Sequence, residues 1–282
     1  MTLDVFVLVL IAAVLHALWN FAARKAAGNL GVLWLGSCLA SVVCLPFALF
    51  VQPSAASIRL ALPYMVATGM IHGVYYLFMW KAYEKGEISF VYPIARGTGV
   101  AGTAVAASIF IHEQLSLFGI IGIAAISLGV LLLGLNELVS KKNIKTGLFA
   151  LLLGATIISY SVIDKVGVGK IHPIFYIFWM FVIASLVLSP YVLLRHRDAC
   201  RTAWRTMKKY IILIGPGSMA TYIIILFTYQ IGQVSYIVAV REFSVVVGSV
   251  LGFLLLGERF TLGKCLGIAA ITSGLVMVKL AQ

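Results

Sequence analysis

Residues Ser89 to Ile111 read SFVYPIARGTGVAGTAVAASIFI, a stretch apolar enough to cross a bilayer that nevertheless carries Arg96 well inside it. A second version, Ser235 to Leu256, holds Arg241 and Glu242. From each arginine a glutamate follows after sixteen residues, at Glu113 and at Glu258. Gly122 and Gly267 stand eight residues further on, and Gly129 and Gly274 six beyond those. The pattern Arg-x16-Glu-x8-Gly-x6-Gly therefore occurs twice, at an offset of 145. Small residues recur at matched places, Gly99, Thr103 and Ala107 in the first copy and Ser244, Gly248 and Gly252 in the second. Upstream, Tyr76, Tyr83, Gly86 and Ser89 match Tyr222, Tyr229, Gly232 and Ser235 at an offset of 146, a slip of one residue. The chain reads as a duplication, 1–140 and 141–282.

The 282 residues are 62% hydrophobic and 11% charged, against about 25% charged in soluble domains. That composition describes a membrane protein. The net charge of +12 does not indicate nucleic acid as a partner, because the charges occupy short gaps between apolar runs and form no polar face. Cys38, Cys44, Cys200 and Cys265 make no CxxC pair and read as small apolar residues, not as metal ligands or a disulfide framework. The first apolar run is preceded by Asp4 and no basic segment, which favours a permanent span over a cleaved signal.

A spanning helix needs about 20 apolar residues. Ten runs qualify: Leu3–Ala23, Leu30–Phe50, Ala61–Trp80, Val91–Ile111 and Leu117–Leu135, then Thr146–Ile163, Pro173–Leu194, Tyr210–Tyr229, Ser235–Leu256 and Leu262–Leu280. Runs this long in lipid must be helical, since their backbone groups have no water to bond. The expected fold is all-α, ten transmembrane helices as two five-helix repeats. Five is odd, so the second copy enters the membrane inverted, an arrangement typical of transporters with a midplane site. Four Lys or Arg lie at the span ends on the N-terminal side (Arg59, Lys165, Lys170, Lys279) and fifteen on the other. Read by the positive-inside rule, this puts both termini outside the cytoplasm.

A charge inside a span costs about 2.5–3.5 kcal/mol on insertion scales and usually faces a cavity or a partner. Arg96 and Arg241 are thus candidate ligands for a carboxylate or phosphate; the plainer alternative is that they snorkel or pair with Glu242. Arg241 is the weaker candidate, with Glu242 beside it in sequence. Glu242 is a candidate proton carrier or a fixed ion-pair partner. His16 and His72 are candidates for substrate or proton handling, with a helix–helix hydrogen bond as the ordinary reading. His16 and Asn20 share one helical face with Trp19 adjoining, and His72, Tyr75, Tyr76 and Trp80 form a second aromatic face. Both suit a small amphipathic solute, although an interfacial aromatic belt accounts for Trp80 and Trp34.

Gly97 to Gly102 matches GxGxxG letter for letter, but without the strand and loop that a dinucleotide site requires; close helix packing explains it. The basic run Arg195 to Lys209 sets topology, or else meets anionic lipid headgroups. Asp164-Lys165 reads as a local ion pair or cap. No HExxH, GxSxG or P-loop lysine is present, so no enzyme, metal or cofactor is expected.

The ten spans, the doubled five-helix unit and Gly257-Glu258-Arg259-Phe260-Thr261 after the ninth span resemble the drug/metabolite transporter superfamily, EamA-like branch. The first copy departs from that hallmark, with His112-Glu113-Gln114 in its place. Leu18-Trp19-Asn20-Phe21 is similar to a shortened first-span motif. The resemblance implies alternating access around a central cavity near His16, Trp19, Tyr75, Tyr76, Arg96, Tyr222 and Arg241. It also implies cytoplasmic termini, against the charge count. The function expected is gradient- or exchange-driven export of a small polar or amphipathic metabolite, an amino acid or related organic anion, across the cell inner membrane. The alternatives are a multidrug or cation exporter and a lipid-headgroup flippase. The expected partners are the solute and the bilayer, with the chain a monomer or a dimer.

Overall fold

Apolar runs placed out of water satisfy their backbone groups by i to i−4 bonding, and each expected run is helical, Ser235–Leu256 in two pieces that break at Glu242. The computed structural model describes residues 1–26, 29–84, 88–134, 144–256 and 261–281. In chain order the helices are α1 (Leu3–Lys25), α2 (Leu30–Phe50), α3 (Ala55–Glu84), α4 (Ile88–Phe110), α5 (Leu117–Leu133) and α6 (Ile144–Val168). They are followed by α7 (Pro173–Arg195), α8 (Arg197–Thr206), α9 (Lys208–Ile231), α10 (Val234–Arg241), α11 (Phe243–Leu256) and α12 (Leu262–Leu280). The described residues contain no strand. Gly86, Glu258 and the rest of the Gly257–Phe260 motif lie outside the described residues, as do Lys141, Lys142 and Leu135.

Seven of the described segments are long and apolar enough to cross a membrane, and Leu117–Leu133 is a shorter apolar helix. The expected count of ten is thus not reached on length and apolarity alone. α3 and α4 fall outside the seven: α3 carries Arg59, His72 and Lys81, and α4 carries Arg96 among glycines and threonines. α3 is also longer than its expected run, 30 residues from Ala55. The basic stretch read as a loop folds into α8, whose Cys200 and Ala203 are buried against α2. A Cβ on Gly31 would stand 2.7 Å from the Cys200 backbone, so only glycine lets α8 lie this close.

Local signals set the ends. Asn29, Ser116 and Thr261 accept from the third amide onward at the starts of α2, α5 and α12, as N-caps do. A more distant residue serves α10. The Glu113 carboxylate accepts from the Val234 amide at 2.6 Å and from the Ser235 amide and hydroxyl at 3.1 and 2.6 Å. Lys165 donates to the Gly232 carbonyl at 2.8 Å and to that of Tyr229, at the end of α9, where a cation complements the helix dipole.

α5 lies against α12, α4 against α6, α1 against α9, and α2 and α3 against α7. In the α5–α12 contact, Gly122 meets Gly274 and Gly129 meets Gly267, and a Cβ on any of the four would stand 2.6–2.9 Å from the opposite carbonyl oxygen. The lower number in one helix pairs with the higher in the other, so the two run antiparallel. Leucine, valine and phenylalanine side chains exposed along α1, α2, α5 and α7 form the outer surface, as lipid contact requires.

Inside, the apolar residues fall into two clusters, and five helices turn polar between them. In α1, Val5, Val9 and Ala12 belong to one cluster and Trp19 and Ala22 to the other; His16 sits between. In α4, Arg96 separates Ala95 from Val100; in α3, Thr68 and His72 separate Met65 from Tyr75. In α6, Ser161 and Asp164 separate Tyr160 from Val168, and in α9, Ser218 and Tyr222 separate Ile214 from Ile225. The polar layer lies near mid-span.

Candidate functional site

α4 and α10 bring the two arginines into this layer from opposite ends. Arg96 lies eight residues from the start of α4 and Arg241 closes α10, so at 1.5 Å per residue each is about 10–12 Å in from its end. Glu242 occupies a tight turn between α10 and α11, its amide donating to the Ala239 carbonyl at 3.0 Å and its own carbonyl accepting from Val245 at 2.8 Å. From that turn its carboxylate crosses to α4. The Arg96 Nε donates to Glu242 Oε2 at 3.0 Å, and Arg96 Nη2 lies 2.8 Å from Oε1. Exposure is 2% for Arg96 and 1% for Glu242. Paired this way, a guanidinium and a carboxylate are buried at lower cost than a single ion.

The neighbour in sequence therefore is not the partner in space. Glu242 is bound to Arg96, and Arg241 points to Tyr160, with Nη2 3.5 Å from the hydroxyl. The Arg241 side chain is 2% exposed, and its Nε is buried without a hydrogen bond. A guanidinium fork with an unoccupied donor inside a low-dielectric layer suits a planar anion.

Around Arg241 the aromatic residues form one assembly. The His72 ring lies 4.5 Å from that of Tyr160 and 5.5 Å from that of Tyr222, and Tyr75 lies 6.0 Å from Tyr160. Tyr76 joins through Tyr75 at 5.8 Å. The His72 Nδ1 is within 2.9 Å of the Thr68 carbonyl and 3.1 Å of its hydroxyl, which fixes the ring. Tyr92 presents its face to Arg96 at 5.7 Å. His16, stacked edge-on against Trp19 at 4.9 Å, is within electrostatic reach of both arginines.

Not every predicted residue joins on equal terms. Asn20 donates back to the His16 carbonyl at 3.0 Å, which places it in its own helix, while Trp19 reaches the layer only by way of His16 and packs near Gly217. Trp80 is buried away from the assembly against His196 and Tyr191.

Two central residues of the layer, Tyr160 and Asp164, were not among the candidates. Tyr160 joins Arg241 to the aromatic cluster. Asp164, fully buried, accepts from the Tyr176 hydroxyl at 2.8 Å and from the Tyr222 hydroxyl, with the Thr68 hydroxyl against it. The expected Asp164–Lys165 pair is not how these residues bond. Successive helical residues point about 100° apart, so Lys165 turns outward to the α9 carbonyls as Asp164 turns in. The sequence carried a signal: Tyr160 and Asp164 are four apart on one face of an apolar helix.

Toward the end that bears both termini, two recesses open. One, of about 630 Å³, is lined by Met1, Gln114, Gln233 and Tyr236 among others. The other, of about 330 Å³, is lined by Glu113, Lys165, Lys170, Tyr229 and Gln230, directly beside Asp164 in the chain.

The sequence model of the EamA-like transporter family matches residues 5–135 and 145–280. A search among curated proteins returns no match. Among solved structures, one titled simply as the crystal structure of a protein superposes with a TM-score of 0.72 at 16% identity, covering 98% of this chain and 97% of that one. At that identity the likeness concerns the fold.

Proposed function

This chain belongs to the EamA-like transporter family, a membrane transporter family, and we propose that it is a secondary active transporter exporting a small polar or amphipathic metabolite, an amino acid or related organic anion. The ten helices act as two inverted five-helix repeats, 1–140 and 141–282, in the cell inner membrane, with alternating access around the polar layer. The antiparallel meeting of Gly122 with Gly274 and Gly129 with Gly267 supports the inversion, because Gly122 is equivalent to Gly267 and Gly129 to Gly274, so each glycine faces the counterpart of the other.

The observation that carries the reading is Arg241, a buried guanidinium with an unbonded Nε among tyrosine hydroxyls and His72. An intramembrane arginine is costly unless it serves a ligand or a partner, and the nearby carboxylate is engaged by Arg96. Substrate carboxylate docks on Arg241, and Tyr160, Tyr222, Tyr75, Tyr76, His72 and Trp19 supply hydrogen bonds and apolar surface. In this reading Arg96 neutralises Glu242 so that Arg241 keeps its charge for the substrate.

Thermal stabilisation of the purified protein across a metabolite panel tests it first, since a ligand of the native state raises stability. Uptake of a radiolabelled mixture of the protein amino acids into proteoliposomes follows. Arg241→Ala should abolish that uptake while the detergent-purified protein stays folded; full uptake by the variant would overturn the assignment.

A further inference from the structure

The proton in such a cycle needs a seat, and Glu242 is poorly suited to provide it. Glu242 lies between Arg96, 2.8 Å away, and Arg241, its neighbour in the chain. Arg96 occupies both of its oxygens, so a proton could reach that carboxylate only by displacing the guanidinium. Asp164 is the other buried carboxylate of the layer, and hydroxyls bond it: Tyr176 from α7, Tyr222 from α9 and Thr68 from α3. A carboxylate bonded by hydroxyls takes up a proton with little rearrangement, because a hydroxyl can turn from donor to acceptor.

Its position fits exchange. Asp164 lies four residues before the end of α6, about 6 Å along the axis, within one turn of Lys165 and Val166, which line the recess, while Asp164 itself stays buried inside the layer. Tyr222 carries its other side toward Tyr160, 6.1 Å away ring to ring, and Tyr160 carries on to Arg241. One anionic group and one cationic group thus bracket the tyrosine pair. A simple organic anion on Arg241 would sit near an uncompensated carboxylate; a zwitterion would satisfy both.

We propose that Asp164 is a proton-binding site that gives up its proton when the ammonium of an amino-acid substrate takes its place. The step is balanced: the protonated acid loses H⁺ to water through the Lys165 recess, and the carboxylate left behind ion-pairs with the substrate ammonium, whose own carboxylate rests on Arg241. Proton and substrate compete for one group, which makes the exchange obligatory. The titratable and charged groups facing Asp164 are Tyr176 on α7, Tyr222 and Tyr229 on α9, Tyr64 and His72 on α3, Arg241 on α10 and Tyr160 on its own helix. Arg96 and Tyr92 on α4 and Glu242 lie beyond Arg241. This inference rests on the transporter reading and narrows its substrate to ammonium-bearing acids.

Purified protein in weakly buffered detergent with a pH-indicator dye, stepped from acidic to neutral pH, reads the release directly. Addition of a mixture of the protein amino acids should release protons, and the matched mixture of 2-hydroxy acids, which lack the ammonium, should not. Asp164→Asn should abolish the release and Asp164→Glu should restore it. Infrared difference spectra of the same samples should show a carboxylic C=O band that amino acids remove and that is absent in Asp164→Asn. Release from Asp164→Asn equal to wild type, release by the hydroxy acids, or no release from wild type at any pH each overturns the proposal. Amino-acid uptake into proteoliposomes without proton release would remove this inference and leave the transporter standing, whereas proton release without uptake would overturn the transporter reading and the exchange with it, leaving only a proton-linked amino-acid site.

Discussion

Arg96 on α4 and Glu242 in the turn before α11 bond across the two halves of the chain, 2.8 Å from Nη2 to Oε1, although Arg241 is the arginine adjacent to that glutamate in sequence. Removing one partner of a buried pair costs about 3–5 kcal/mol, but the two ends are not equivalent here. Glu242→Gln strands two buried guanidiniums, while Arg96→Gln leaves Glu242 with Arg241 within electrostatic reach. The melting temperature of detergent-purified Glu242→Gln should fall further than that of Arg96→Gln. An equal or opposite order would mean that Arg241 is compensated elsewhere.

Arg241 itself should behave differently from Arg96. Its bond to Tyr160 is long, 3.5 Å, so Arg241→Lys should lose little stability while losing the planar fork that a carboxylate occupies. Losing a charge-assisted hydrogen bond to a ligand costs about 1.5–3 kcal/mol, or about 10- to 150-fold in apparent affinity. Concentration-dependent uptake in proteoliposomes measures it. Wild-type affinity in Arg241→Lys would show that no bidentate anion sits there.

The α5–α12 contact gives a test independent of substrate. A Cβ on Gly129 would stand 2.8 Å from the Gly267 carbonyl oxygen and 2.9 Å from the Ile271 amide nitrogen, so backbone would have to move. Gly129→Ala should destabilise by about 1–3 kcal/mol, the usual range for overpacking. Gly248→Ala, where nothing lies within 4 Å, should be neutral or gain the 0.5–1 kcal/mol or so that alanine offers in a helix. Thermal melts of the two variants side by side would reveal whether the repeated glycines serve this contact.

Glu113 closes α10 from the other half of the chain, its carboxylate receiving two amides and a hydroxyl. Glu113→Ala should cost about 1–3 kcal/mol, the penalty for leaving such donors unsatisfied. Glu113→Gln, which keeps one acceptor, should lose less. Faster amide hydrogen exchange confined to Val234–Ile237 would be the local signature, and exchange unchanged in that segment would remove the cap.

Much of this was legible from spacing. The Arg-x16-Glu-x8-Gly-x6-Gly repeat located the two charged helices and singled out Glu113 and the four glycines as matched positions, because repetition marks positions under a common constraint, but it did not say what they touch. Partners were not legible. Glu242 follows Arg241 in the chain, yet a turn at that residue aims its carboxylate at α4, a direction fixed by tertiary packing. Asp164 was passed over because Lys165 beside it offered a sufficient local explanation; 100° of helical rotation separates the two. The α8 helix was hidden for a related reason, since its basic face resembles a topogenic loop in composition. The expected third and fourth spans illustrate the cost of function to pattern, as their polar residues are those that build the layer.

The orientation of the whole follows from one asymmetry. The N-terminal ammonium donates to the Ala281 carbonyl at 3.3 Å and Lys279 donates to the Met1 carbonyl at 3.0 Å, so both ends of the chain share one face. At the opposite ends of the helices sits α8 with Arg197, Arg201 and Arg205 along it, flanked by Arg195, Lys208 and Lys209, and Lys208 covers the exposed Trp204 ring at 5.4 Å. Basic residues in short segments near span ends are retained in the cytoplasm, and an interfacial helix with lysine and arginine on its polar face is attracted by anionic lipid of that leaflet. The termini should therefore face away from the cytoplasm. In a bacterial inner membrane, a C-terminal alkaline phosphatase fusion should be active and a C-terminal green fluorescent protein fusion dark. The opposite pair of signals would mean that the family's cytoplasmic termini prevail over the charge on α8. Replacing the three α8 arginines by glutamine should then leave the orientation unchanged; under the charge rule it should yield a mixed population.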